Sequence, residues 1–189
     1  MNTPAHMLLG AALFGRGGEG RLLWAAVLGA LAPDASLYLM AGVSLFVLAV
    51  PPQVVFDQLY FSETWQTVFA VDNSVFLWGG LLGLAVWRRW HLGIAFAGAG
   101  LLHLALDFPL HAGDGRPHFW PLSDWVFDAP VSYWDSTHHA TWVAPVTVMI
   151  CVVAYVTIWR KRVAPLALAG FGLLLATELW VMRQWLVFF

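Results

Sequence analysis

The stretch from Ala140 to Trp159 most constrains the fold, because its twenty residues include no charged side chain. A helix of roughly 20 apolar residues is long enough to cross the hydrocarbon core of a bilayer. The whole chain shares this character, with 60% hydrophobic and only 11% charged residues and a mean hydropathy of +0.73. A soluble domain carries about a quarter charged residues. The sequence therefore predicts an integral membrane protein.

Further apolar runs precede and follow this stretch, separated by prolines, turn formers or charged residues. They are Ala5–Phe14, Leu22–Ala32, Ser36–Val50, Ser74–Trp87, Leu92–Leu106 and Val163–Met182. We expect residues 1–189 to form one all-α polytopic membrane domain with about six membrane helices.

The first half of the chain contains the least regular runs. The first two are shorter than the roughly 20 residues of a full span, and the second stops at Pro33-Asp34, which predicts a tilted or partly inserted hairpin. Residues 53–71 mix charged and amide side chains with apolar ones, which predicts an amphipathic segment lying on the membrane. The pattern leaves open whether residues 35–71 cross the membrane an even number of times or not at all.

Basic residues are concentrated in three turns, and these predict the orientation. Seven of the nine Lys and Arg residues lie there: Arg16, Arg21, Arg88, Arg89, Arg160, Lys161 and Arg162. Short cytoplasmic loops are enriched in Lys and Arg, so we place these turns on the cytoplasmic side. The helices leaving them then carry a set of polar residues to the opposite, extracytoplasmic surface, namely His6, Asp34, Asp72, Ser74, His103, Asp107 and His138.

The segment from His103 to His111 has the spacing of a metal site. Residues four apart on a helix share a face, so the His103 imidazole and the Asp107 carboxylate point the same way. Pro109 disfavours helical geometry at the residue before it, which predicts a helix end there and leaves His111 on the following loop. Three such ligands are the number that a catalytic zinc site uses when water fills the fourth position. The alternative is that each polar residue only satisfies a buried neighbour.

The region from Asp107 to His139 is a long polar and aromatic loop. Its length favours a lid or wall over the polar surface rather than a simple connection. It offers Asp114, His118, His138 and His139 as further ligands or as acceptors that fix imidazole tautomers. The alternative is an interfacial cap whose tryptophans anchor in the headgroup region.

The charge balance excludes nucleic acid as a partner, because a chain of net charge -2 has no basic stripe to neutralise phosphates. The sequence predicts no oligomeric state.

Four groups of residues resemble a family of bacterial inner-membrane proteins known as membrane-bound metal-dependent hydrolases, some of them of zinc-dependent phospholipase C type. They are Thr3-Pro4-Ala5-His6, the segment from Leu28 to Asp34, the His103 to His111 segment, and the loop from Trp120 to His138. The resemblance runs from residue 3 to about residue 146. It implies a multi-pass protein of the bacterial inner membrane with a divalent metal, zinc above all. The implied ligands are His6, Asp34, His103, Asp107 and His111, with His138 as a further candidate.

The resemblance implies a metal-dependent hydrolase. Because a site at the headgroup level meets lipid phosphoesters at high local concentration, we expect hydrolysis of a membrane lipid or a lipid-linked phosphoester at the extracytoplasmic surface. Asp34 or Asp107, whichever does not bind the metal, would accept the proton of the attacking water. The chain departs from the family pattern at Asp72-Asn73-Ser74, where many relatives carry a histidine. The alternative expectation is therefore a non-catalytic membrane protein, a transport or assembly factor with a structural or vestigial metal site.

Overall fold

The computed structural model describes residues 1–188, and within this range the chain is 72% helical and contains no strand. The main helices are α1 Thr3–Phe14, α2 Gly20–Gly42, α3 Glu63–Asp72, α4 Val75–Trp87, α5 His91–Asp107, α6 Ala140–Arg160 and α7 Pro165–Phe188. Shorter helical segments lie at Val43–Val47, Pro52–Val54, Val55–Leu59 and Ser136–His138.

Four helical stretches of the described chain are long and apolar enough to cross a membrane. They are Gly20–Val47, Glu63–Trp87, Ala140–Arg160 and Pro165–Phe188, and α1 and α5 are shorter apolar helices. Large apolar side chains on the outside of these helices are open, for example Phe46 and Leu166, each 86% exposed. Such a continuous apolar surface favours contact with lipid. The helices therefore indicate a membrane protein.

The predicted stop at Pro33-Asp34 is wrong. Helix α2 runs through Pro33 and continues as a π turn to Val47, so the two predicted runs form one helix of 28 residues. Proline inside a helix removes one backbone donor, and membrane helices tolerate this where neighbouring helices satisfy the freed groups. The N–H that Pro33 lacks would have bonded to the Gly29 carbonyl. In the same turn, the neighbouring carbonyl of Ala30 accepts a hydrogen bond from Nδ1 of His103 in α5.

The segment predicted to lie on the membrane is also divided differently. Residues 63–72 form α3, which joins α4 in one of the candidate spans, with a short break at Asn73 and Ser74. Ser74 caps α4 by accepting a hydrogen bond from the backbone N–H of Leu77. Residues 52–59 form only short helical turns.

The predicted helical run from Leu92 to Leu106 is confirmed. Helix α5 covers His91–Asp107, within one residue of the predicted run, and its C-terminal end lies just before Pro109. His111 lies on the loop that follows.

Helices α1, α2 and α5 pack closely because small residues line their contacts. A Cβ at Gly29 of α2 would overlap the carbonyl of Phe96 in α5, and a Cβ at Gly10 of α1 would lie 2.8 Å from the Cβ of Ala30. Small residues let helix backbones approach, which is the usual basis of helix packing in membranes. This packing brings the N-terminal turn of α1, the middle of α2 and the C-terminal end of α5 together.

The basic turns meet at the opposite end of the bundle. Lys161 donates hydrogen bonds of 2.6 Å to the carbonyls of Ala12 and Gly15. Arg16 lines one cavity with His91, which directly follows the Arg88-Arg89 turn. The structure therefore gathers the three turns that the sequence placed on one side.

Candidate metal centre

Five residues that the sequence singled out converge at one place in the bundle. Helix α1 contributes His6, α2 contributes Asp34, α5 contributes His103 and Asp107, and the loop after α5 contributes His111. Four of the five are at least nine-tenths buried, the exception being Asp34.

The centre of the cluster is formed by His6, His103 and Asp107. Each offers a ligand atom, and these atoms lie within 4.8 Å of one another, close enough to hold one metal ion. The two imidazole rings stack with centroids 3.7 Å apart, and the Nε2 of His6 lies 2.9 Å from Oδ1 of Asp107. The α-ammonium of Met1 also contacts the Asp107 carboxylate.

Backbone contact fixes the tautomer of His103. Its Nδ1–H donates to the Ala30 carbonyl at 2.7 Å, which leaves the lone pair of the neutral ring on Nε2. That Nε2 lies 3.3 Å from Oδ2 of Asp107 and 3.6 Å from Oδ1 of Asp34. It is buried and has no hydrogen-bond partner among residues 1–188.

His111 is held in the same way by a carboxylate. Its Nδ1 lies 2.9 Å from Oδ2 of Asp114, which also accepts from the indole N–H of Trp134 at 3.0 Å. Its Nε2 lies 3.3 Å from Oδ2 of Asp107. Burial lowers the pKa of His111, but the hydrogen bonds and charges of Asp107 and Asp114 outweigh it and raise the pKa above its ordinary value.

These contacts bring lone pairs of histidine nitrogens close to lone pairs of a carboxylate oxygen. In their neutral forms, His103 and His111 both aim an Nε2 lone pair at the same oxygen of Asp107, so a proton or a metal cation must lie between them. Two ligands of one tetrahedral zinc ion lie about 3.3 Å apart, given bond lengths of about 2.0–2.1 Å. The 3.3 Å separations around Asp107 match that spacing.

Asp34 lies at the rim of the cluster. Its carboxylate accepts a hydrogen bond from the Thr3 hydroxyl, which lies 2.7 Å from the hydroxyl of Tyr38. Its side chain remains 21% exposed, against 9% for Asp107. Asp34 therefore has freer access to water than Asp107.

The structure does not bring His138 into the cluster. Its Nδ1 lies 2.7 Å from Oδ2 of Asp135 and 3.1 Å from the hydroxyl of Thr137, and its side chain is 46% exposed. These partners belong to its own short turn of the loop.

A small cavity of about 30 Å³ opens beside the cluster. It is lined by His118, which the sequence offered as a further ligand or acceptor, and by Arg116, which sequence reasoning did not place there. Arg116 and His118 border it, together with Asp34, Leu37, Tyr60, Asn73, Asp107, His111 and Tyr133. Burial lowers the pKa of His118. One signal was available in the sequence, since Arg116 is the only Lys or Arg between Arg89 and Arg160.

Comparisons with protein-family models, curated proteins and solved structures found no match for this chain. The family resemblance therefore stays a prediction, and the functional argument depends on the site itself.

Proposed function

We propose that this protein is a membrane-bound, metal-dependent hydrolase that acts on a lipid or lipid-linked phosphoester at the extracytoplasmic membrane surface. The observation that carries the proposal is the convergence of His103 and His111, each with Nδ1 held by an acceptor, on the buried carboxylate of Asp107. Imidazoles that bind metal typically donate their other N–H to a carbonyl or carboxylate in this way.

The donor set suits a divalent metal, zinc above all. Imidazole and carboxylate are the ligands of catalytic zinc sites, and His6, His103 and Asp107 would hold the ion, with His111 next to them. The orphaned Nε2 of His103 supports this assignment, since a buried nitrogen lone pair without a partner is costly.

The cluster also assigns different roles to the two carboxylates. When bound, zinc lowers the pKa of a coordinated water to about 7 and polarises a phosphoryl oxygen. Asp107, enclosed by three imidazoles, would hold the metal, whereas the more exposed Asp34 would accept the proton of the attacking water. The Thr3 hydroxyl, hydrogen-bonded to Asp34, holds that carboxylate in place.

The position of the site supports a lipid substrate. With about six membrane helices and the basic turns on the cytoplasmic side, the His and Asp cluster lies at the outer face of a bacterial inner membrane. Lipid headgroups are concentrated at that level, so a phosphoester of a lipid is the substrate most available to the site.

Elemental analysis of detergent-purified protein tests the metal. The wild type should retain near-stoichiometric zinc after dialysis against a weak chelator, and the double variant His103→Ala, Asp107→Ala should lose it. Asp124→Asn is the matched control, since Asp124 is an exposed carboxylate of the long loop and should leave the metal content unchanged. Equal, negligible metal in all three proteins would exclude the hydrolase.

Hydrolysis of phosphoester lipids by the metal-loaded wild type tests the activity. Release of phosphate or of a phosphorylated headgroup that depends on the metal would support the enzyme. Stoichiometric metal without hydrolysis of any such lipid would instead favour a structural or vestigial site in a transport or assembly factor.

A further inference from the structure

Arg116 is a buried arginine beside the proposed metal centre. It is 8% exposed and lines the same small cavity as Asp107 and His111. Its guanidinium donates to the hydroxyl of Tyr60 at 2.5 Å and contacts the amide oxygen of Gln66 at 3.5 Å. It also lies 4.2 Å from the ring centre of Phe69.

The charge of Arg116 is not neutralised by its direct contacts. Within residues 1–188, no carboxylate lies within ion-pair distance of its guanidinium. A guanidinium has five N–H donors, and the protein contacts engage only two of them. Burying an unpaired charge is costly, and the aromatic rings repay only part of that cost. An anionic ligand in the cavity would neutralise the charge of Arg116 and accept hydrogen bonds from its remaining N–H groups.

His118 supplies the opposite chemistry in the same cavity. Its Nδ1–H donates to the carbonyl of Arg116 at 2.8 Å, so the neutral ring has its lone pair on Nε2. The residue is 4% exposed, and its Nε2 is buried with no partner in the described part of the chain. The loop is held there because the N–H of Val75 donates to the His118 carbonyl at 2.9 Å. Beside the carboxylates of Asp34 and Asp107, the cavity thus presents donors from Arg116 and one acceptor from His118.

A terminal phosphate in its singly protonated form fits this pair. Its anionic oxygens accept two parallel hydrogen bonds from the Arg116 guanidinium, the usual geometry between arginine and phosphate. Its P–O–H group donates a hydrogen bond to Nε2 of His118. A phosphodiester has anionic oxygens but no P–O–H. A volume of about 30 Å³ is roughly that of one water molecule, so the cavity admits a phosphoryl oxygen and leaves no room for a further headgroup.

The hydrocarbon part of such a ligand has an adjoining groove. A cavity of about 350 Å³, lined mainly by apolar and aromatic side chains together with Asp57 and Asp114, shares Leu37, Tyr60 and Tyr133 with the small polar one. Phe56 and Phe61 also line it and are 46% and 54% exposed. A phosphate in the polar cavity can therefore carry its chain along this groove.

We propose, on the basis of the hydrolase function argued above, that Arg116 and His118 form a phosphoryl subsite selective for a phosphomonoester at the end of a hydrocarbon. In the reaction, water oxygen bonds to phosphorus, the bond from phosphorus to the ester oxygen breaks, and Asp34 takes a proton from the water. Asp34 then gives this proton to the leaving oxygen and is ionised again, so that one water is consumed and an alcohol and inorganic phosphate are released. Inorganic phosphate is then a product that occupies the same subsite.

Titration calorimetry of the purified full chain with inorganic phosphate tests the role of Arg116. Arg116→Gln should raise the Kd at least about tenfold, since charge-assisted hydrogen bonds are lost, while the metal content and melting temperature stay at wild-type values. Arg88→Gln is the matched control, because Arg88 also stacks on an aromatic ring, Trp87, but is exposed and lies in a basic turn. It should leave the Kd unchanged. Unchanged phosphate binding in a folded, metal-replete Arg116→Gln protein would overturn the subsite.

Selectivity of the wild type gives a second test that needs no variant in the cavity. Dioctanoyl phosphatidic acid should bind more tightly than inorganic phosphate and be dephosphorylated, whereas dioctanoyl phosphatidylcholine, a diester, should not be hydrolysed. Phe61→Ala should weaken binding of the phosphatidic acid and leave inorganic phosphate unaffected. Equal hydrolysis of the two lipids would overturn the selectivity for monoesters. Equal affinity for inorganic phosphate and phosphatidic acid would overturn the role of the groove.

The two proposals fail in different ways. If phosphate binding depends on Arg116 but the protein neither binds metal nor hydrolyses lipids, the proposed hydrolase function is wrong and the phosphoryl subsite is supported. If the protein hydrolyses diesters in a metal-dependent reaction that Arg116→Gln does not affect, the hydrolase function is supported and the proposed subsite is wrong.

Discussion

Replacing Asp107 by asparagine separates the metal-binding role of this carboxylate from its structural role. The substitution preserves size but exchanges one carboxylate oxygen for an amide that carries two N–H donors. In the structure, the Nε2 atoms of His103 and His111 each lie 3.3 Å from Oδ2 of Asp107. An amide nitrogen at that place donates to a lone pair that otherwise requires a proton or a metal. Asp107→Asn should therefore lose the metal yet fold well.

The magnitude follows from the number of groups that meet at this residue. Changing a group that only orients a metal ligand costs about 10–100-fold in affinity, so losing the central carboxylate should cost more than about 100-fold. In the wild type, zinc at 100 times its Kd adds about 2.7 kcal/mol to the free energy of unfolding. At about 2–4 °C per kcal/mol for a chain of this size, chelation should lower the wild-type melting temperature by about 5–11 °C. The variant should show no chelator-dependent shift.

The assay is thermal unfolding in detergent with and without chelator, combined with elemental analysis. Asp124→Asn serves as the control and should respond to chelator as the wild type does. The reasoning is refuted if Asp107→Asn binds near-stoichiometric zinc with a Kd within tenfold of the wild type. It is equally refuted if chelator shifts the melting temperatures of both proteins by the same amount.

Three further substitutions test the surroundings of the cluster. Asp114→Asn should weaken zinc binding by about 10–100-fold, because it removes the carboxylate that orients His111. Competition with a chelating dye measures the Kd for zinc, and an unchanged Kd would contradict this role of Asp114. Gly29→Ala should destabilise the protein by about 1–3 kcal/mol, since the added methyl overlaps backbone of α5, whereas Gly80→Ala, with open space around its Cβ, should not; equal melting temperatures would count against the close packing. His138→Ala should leave the metal content unchanged, because the His138 side chain bonds only to Asp135 and Thr137 among the described residues. Loss of metal in this variant would instead place His138 at the centre.

Local rules predicted the part of the site that lies within one stretch of chain. The spacing of His103 and Asp107 and the position of Pro109 were enough to place both side chains on one helical face and His111 just beyond the helix end. The structure has α5 at His91–Asp107, as this pattern requires.

Contacts between distant residues could not be predicted in the same way. Pro33 was expected to end a helix, but the Ala30 carbonyl in the preceding turn finds its donor in His103, 73 positions later in the chain. The path of the long loop is likewise set by pairs such as Ser74 with the Trp120 carbonyl, 46 positions apart. No local pattern encodes such a pair, so neither the course of the loop nor the place of Arg116 followed from the sequence.

The arrangement of the cluster argues for a reactive site over a purely structural one. His6 and His103 lie on the closed side, each 1% exposed, whereas Asp34, Asp107 and His111 border the cavity. A structural zinc site is closed by four protein ligands, while a catalytic one keeps a position open to water or substrate. Here the open side faces a cavity with the Arg116 guanidinium, which bonds to Tyr60 and Gln66 but has no ion-pair partner within residues 1–188, and with the His118 Nε2, which has no hydrogen-bond partner there. An uncompensated charge and an unpartnered nitrogen beside the cluster favour the proposed reactive site over one that serves structure alone.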